Sequence, residues 1–184
     1  DDLPLNVSRE LLQKNKKIES IKGGCVKRIL SMVENLAKKP DVYRDFWDNF
    51  GSVLKEGVVE DTVNKEKLSK LLRYESNQSE NGELTSLKEY VSRMKESQEV
   101  IYFLTADSIH AARKSPHLEY FKDKKVEVLL MVDPVDEWVV SHLENFDGKK
   151  LQSITQTDAL SSDEKNATSS ETEVGRYKDL LNQM

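Results

Sequence analysis

At Val100 the hydrophobic pattern of this chain changes period, and that change limits the fold more than any other feature. Upstream, apolar residues recur every three or four positions, as in helices packed along one face. Downstream come "VIYFL" (100–104) and "VEVLLMV" (126–132), short unbroken apolar runs that read as strands buried on both faces. "LQSI" (151–154) is a third candidate strand. Asp107 or Ser108, then Pro116, then Asp133-Pro134 mark helix starts between them. Strand, helix, strand, helix, strand at this spacing predicts an α/β fold. A helical connector layer leads into a small three-layer αβα unit with a three-stranded parallel sheet.

The upstream part reads as helical throughout, with no strand signal. From Glu10 to about Lys39, Leu11, Ile18, Ile21, Cys25, Ile29, Met32, Val33 and Leu36 fall at helical spacing, in one long helix or in two that meet at Gly23-Gly24. Pro40 opens a second helix carrying Val42, Phe46, Trp47, Phe50, Val53 and Leu54, and Gly57 is expected to stop it. "DTVNKEKLSKLLRY" reads as a third helix, "ESNQSENGE" as a loop, and Ser86 with Glu89 as a capping box for a fourth. Asp147-Gly148 is a turn. After Thr155 the composition turns to Ser, Thr, Asp and Glu, a linker, before a last amphipathic segment near the end.

Charge and composition exclude several functions. Charged residues make up 33% of the 184, and the net charge of −5 argues against a general nucleic-acid surface. No apolar run approaches the roughly 20 residues that span a bilayer. Cys25 is the single cysteine, so no internal disulfide framework exists, which fits a reducing, cytoplasmic setting. The three histidines lack the spacing and partners of a zinc site, so no metal is expected.

Catalytic and binding chemistry is sparse. The turns that follow the first two strands, "TADS" and "DPVD", contain no glycine, so backbone cannot close on a phosphate as nucleotide cradles require. Cys25 lies on a helical apolar stripe and reads as a buried structural thiol. Asp136-Glu137 sit in a first helical turn, where the helix dipole accounts for them. Arg9 stands at a helix start, on the end of the dipole that favours negative charge, with Gln13 one turn further on the same face. Two such donors can converge on an anionic oxygen, although taken alone Arg9 reads as a solvated side chain. Trp138 lies at the edge of the stripe formed by Val135, Val139, Leu143 and Phe146. It is either peripheral core or an exposed anchor for another polypeptide.

The stretches "DDLPLNVSRELLQ", "FWDNFGSVLKEG", "KLLRYES", "TSLKEYVSRMKESQEVIYFLTADS", "SPHLEYF", "VEVLLMVDPVDEW" and "LENFDGKKLQSI" together resemble the middle domain of the heat shock protein 90 chaperones. They are most similar to the bacterial-type members, and cover residues 1 to 155 in the family's order. The resemblance implies an ATP-driven homodimeric chaperone, with ATP and Mg2+ held in an N-terminal domain, client proteins bound partly by the middle domain, and a C-terminal domain that dimerises. It implies that residues 1–9 are the catalytic loop, 10–97 the helical connector, 98–155 the small αβα subdomain, 156–170 a linker, and 171–184 the start of the C-terminal domain. Arg9 matches the arginine that reaches the ATP γ-phosphate, Gln13 the nearby glutamine, and Trp138 becomes a candidate client contact. This chain alone is expected to be inactive as an ATPase. The alternatives are a passive protein-interaction module and, less favoured, a small-molecule enzyme working at the strand ends.

Overall fold

The computed structural model describes residues 16–80 and 82–155. Arg9, Gln13, the segment read as a linker and the last amphipathic segment lie outside them. The chain opens with helix α1 (Lys16–Leu36), which is continuous through Gly23-Gly24. A Cβ built at either glycine meets nothing within 4 Å, so packing does not require them. Gly23→Ala and Gly24→Ala are each expected to raise the unfolding free energy by about 0.5–1 kcal/mol, read by urea denaturation, because Ala loses less backbone entropy in a helix.

Pro40 occupies the first turn of α2 (Pro40–Glu60), where its missing N–H costs nothing. The helix does not stop at Gly57. It continues to Glu60, and Gly57 instead lets α3 (Lys65–Leu71) approach, with Leu68 Cδ1 3.4 Å from the place a Cβ would take. The Tyr43 hydroxyl donates to the Leu71 carbonyl at 2.6 Å, tying α2 to the end of α3.

Three strands stand where the sequence pattern showed none, two of them upstream of Val100 and the third at Asn145–Phe146, where the pattern puts Phe146 on a helical stripe. "RYES" is β1 (Arg73–Ser76) rather than the tail of a helix and the start of a loop, and Thr85–Ser86 is a short β2. Tyr74 and Ser76 are buried and alternate with half-buried Arg73 and Glu75. Ser86 then caps α4 (Leu87–Arg93): its hydroxyl accepts from the Glu89 N–H at 3.1 Å, and the Glu89 carboxylate accepts from the Ser86 N–H at 2.7 Å.

The remaining elements are β3 (Val100–Thr105), α5 (Ile109–Arg113), α6 (His117–Asp123), β4 (Leu129–Met131), α7 (Asp136–His142), β5 (Asn145–Phe146) and β6 (Lys149–Ser153). The sheet order is β2-β1-β4-β3-β6-β5. Its centre, β4-β3-β6, is the expected three-stranded parallel set, with Leu104 opposite Leu130 and Ile101 opposite Leu151. Antiparallel strands extend it on both sides, β1 with β2 beside β4 and β5 beside β6. Asp147 and Gly148 both have positive φ, as the tight turn from β5 to β6 requires.

The unbroken apolar runs serve two cores, one on each face. Ile101, Phe103, Leu129 and Met131 point to the helical layer and Val139 of α7. Tyr102, Leu104, Val128 and Leu130 point to Ala112, Leu118 and Phe121. Period-two alternation within an all-apolar strand is therefore what builds three layers. The apolar stripe of α1 is split: Leu30 and Val33 are buried, whereas Ile21, Ile29 and Met32 are exposed. Cys25 is exposed as well, not buried as its spacing suggested.

Candidate functional site

The site is built where α2 meets the start of α7. Along α2, residues Gly51, Leu54, Lys55 and Val58 are buried, so a lysine occupies a core position. Gly51, one turn earlier, leaves room for the Trp47 indole, from which a Cβ there would stand only 3.0 Å. The Lys55 ammonium sits 5.7 Å from the Trp47 ring centre and 5.2 Å from that of Tyr74.

A buried ammonium needs a counter-charge, and α7 supplies it. Lys55 Nζ donates to Asp136 Oδ2 at 3.0 Å, lies 2.8 Å from Oδ1, and is 3.6 Å from Asp133 Oδ2. Asp136 is fully buried. It is therefore more than a dipole-favoured acid of a first helical turn, which was its sequence reading. Its Oδ2 also accepts from the Asp133 N–H at 3.0 Å, and the Asp133 carboxylate accepts from the Val135 N–H at 3.2 Å. Desolvation raises the Asp136 carboxyl above the usual aspartate range, and the Lys55 charge opposes that shift. Burial also raises the Tyr74 phenol well above its ordinary value, reinforced by the Asp136 and Asp133 charges, and its hydroxyl finds no hydrogen-bond partner among the described residues.

This ion pair fixes the "DPVDEW" turn against α2 and sets the position of Trp138. Trp138 is 66% exposed, on the rim rather than in the core. It joins Pro134 and Val135 with Glu56, Val59 and Glu60 of α2 around an open groove of about 620 Å3. Such a volume is in the range of ligand-sized clefts. A larger cleft lies between α3 and the β5 region, where Lys65, Lys70 and Lys88 alternate with Glu66, Glu144 and Asp147. Charges of both signs are interspersed there, so no single ion is favoured.

The structure brings Trp138 to a surface groove, while Arg9 and Gln13 lie outside the described residues. Sequence reasoning missed Lys55, Asp136, Glu56 and Glu60. The signal available was a lysine at a core spacing, between Leu54 and Val58. At the end of β3 the Ala106 N–H donates to the Met131 carbonyl at 3.0 Å and the Ser108 side chain caps α5. Among the described residues no cluster of His, Cys, Asp and Glu could hold a metal ion, and no helix is long and apolar enough to cross a membrane.

Comparison with known proteins gives a consistent result. A family model described as "Hsp90 protein" matches residues 1–184. The chain is 55% identical over 160 residues to chaperone protein HtpG of Methylococcus capsulatus, covering 86% of this chain and 25% of that protein. It is 51% identical over 185 residues to HtpG of Dechloromonas aromatica, covering 98% of this chain and 29% of that one. The middle domain of a Plasmodium falciparum heat shock protein matches with a TM-score of 0.71 and 32% identity, over 77% of this chain and 58% of that one. The chain thus spans about a quarter of the length of the curated relatives it matches.

Proposed function

The chain belongs to the Hsp90 protein family, and from that premise we propose that it acts as a middle-domain segment of an ATP-dependent chaperone. The middle-domain likeness of the fold supports the placement, and the exposed Trp138 above a preformed groove is the observation that carries a client-binding role. In this reading residues 1–9 form the catalytic loop, 10–97 the helical connector and 98–155 the small αβα subdomain. ATP with Mg2+ is held by a separate N-terminal domain, which agrees with strand ends in this chain that lack a glycine cradle. ATP bound there supplies a γ-phosphate on which negative charge is redistributed during hydrolysis. Arg9 offers a planar fork of donors to that phosphate and Gln13, four residues on in the sequence, a neutral donor, a set suited to anionic oxygens. Homodimerisation of the full-length protein and a cytoplasmic location complete the proposal.

Trp138 acts as the anchor for non-native polypeptide. A large ring that is apolar on its face and carries one N–H buries contact area with little loss of side-chain entropy. The test is aggregation of a thermally unfolded client protein in the presence of the full-length chaperone. Trp138→Ala is expected to raise the client Kd about thirtyfold, as for a moderate interface anchor, and to leave ATP turnover without client unchanged. Undiminished protection by the variant counts against this surface. Because the indole is mostly exposed, the substitution removes little from the core.

A further inference from the structure

The groove beside Trp138 carries charge as well as apolar surface. Val59, Pro134, Val135 and Trp138 supply the apolar wall, and Glu56 and Glu60 stand one helical turn apart on α2, both exposed. Its lining includes those two carboxylates and no basic side chain. Lys55, next to Glu56 in the chain, is buried and neutralised by Asp136 and Asp133, so it does not cancel them. Glu137, adjacent to Trp138 in the chain, is exposed and adds a third negative charge to this end of α7. Apolar walls focus the field of charges at their rim, so a cation entering the groove is attracted more than it would be over open surface. The indole face favours a cation for the same reason of sign.

Resting on the reading of Trp138 as a client contact, we infer that the groove selects segments of non-native polypeptide in which an apolar side chain is flanked by lysine or arginine. The apolar side chain packs on Val59, Val135 and Trp138, and the flanking cations reach Glu56 and Glu60. An open groove of about 620 Å3 takes a short extended segment and not a folded domain. The carboxylates act as selectors: they add little to the binding of a neutral segment, and they penalise an acidic one.

The test uses three dye-labelled peptides that share a Phe-Leu-Phe core and end in paired lysines, paired serines or paired glutamates. Their binding to the full-length protein without nucleotide is followed by fluorescence anisotropy. The lysine-flanked peptide is expected to bind about fivefold more tightly than the serine-flanked one, as two exposed ion pairs allow, and the difference shrinks as salt is added. In the Glu56→Gln/Glu60→Gln variant that preference disappears, while the serine-flanked peptide binds as before. Both positions are exposed, so the variant keeps its core. Equal binding of the three peptides by the wild type, or a lysine preference that survives in the double variant, overturns the inference and leaves the Trp138 reading in place. Unchanged binding of the serine-flanked peptide to Trp138→Ala overturns that reading itself.

Discussion

Replacing Lys55 by methionine is expected to lower the unfolding free energy by about 3–5 kcal/mol at neutral pH, because one half of a buried ion pair is removed and the other is stranded. Asp136 is fully buried, and its nearest cation is Lys55. Methionine fills a similar volume, so lost packing contributes little to the change. The effect belongs to the charge. Changing both partners, as Lys55→Met with Asp136→Asn, is expected to recover much of the loss, since no uncompensated carboxylate remains.

The pH dependence follows from the direction of the Asp136 shift. Desolvation already holds this carboxyl above the ordinary aspartate range, and removal of Lys55 takes away the main opposing cause. A carboxyl raised in the folded state binds its proton more tightly there than in the unfolded chain. The folded state is thus favoured most below the unfolded value and loses that advantage as pH rises through the folded one. The penalty for Lys55→Met should therefore shrink as pH falls towards the ordinary aspartate range, where the stranded carboxyl is neutral. Urea denaturation at several pH values, followed by the fluorescence of Trp47, measures it. A penalty that is constant with pH would show that packing, not charge, is the cause.

In the full-length protein, Arg9→Ala is expected to lower ATP turnover about a thousandfold, the lower end of the effect of an arginine delivered to a transferred phosphate, with ATP binding nearly unchanged. The separation of the two is the informative part. A side chain that meets the phosphate only when domains dock contributes to the transition state and not to the resting complex. Arg9→Lys keeps the charge but loses the planar fork, so an intermediate rate is expected. Gln13→Ala removes a neutral donor and should cost less than Arg9→Ala. Single-turnover hydrolysis, beside nucleotide binding by fluorescence, distinguishes the outcomes. Equal loss of binding and turnover counts against that role for Arg9, and an unaltered rate favours the passive-module alternative.

Local chemistry was legible from the residues. The Ser86–Glu89 capping box, the Ser108 cap, Pro40 at a helix start, the Asp147-Gly148 turn and the strand at Val100 stand as read, and the second apolar run holds a strand shorter than read, Leu129–Met131 within 126–132. Each is decided within a few residues, by a side chain reaching its own backbone or by the dihedral preference of a single position. The role proposed for Arg9 rests on motifs shared with a family and not on its own chemistry.

What the tertiary structure decided are the features whose partners lie far along the chain. "RYES" has no strongly apolar strand pattern, and becomes a strand because the edge of β4 offers backbone partners at Leu129 and Leu130. Gly57 looked like a stop, yet it faces Leu68 inside a continuous assembly of α2 and α3. Cys25 sits on one of two apolar stripes of α1, and periodicity alone cannot say which stripe meets the helical layer. Lys55 and Asp136 are 81 residues apart, and each by itself resembles a surface charge. A sequence specifies a local conformation wherever short-range sterics and hydrogen bonds suffice. Burial of a charge depends on the counter-charge that folding brings to it, and that pairing exists only in three dimensions.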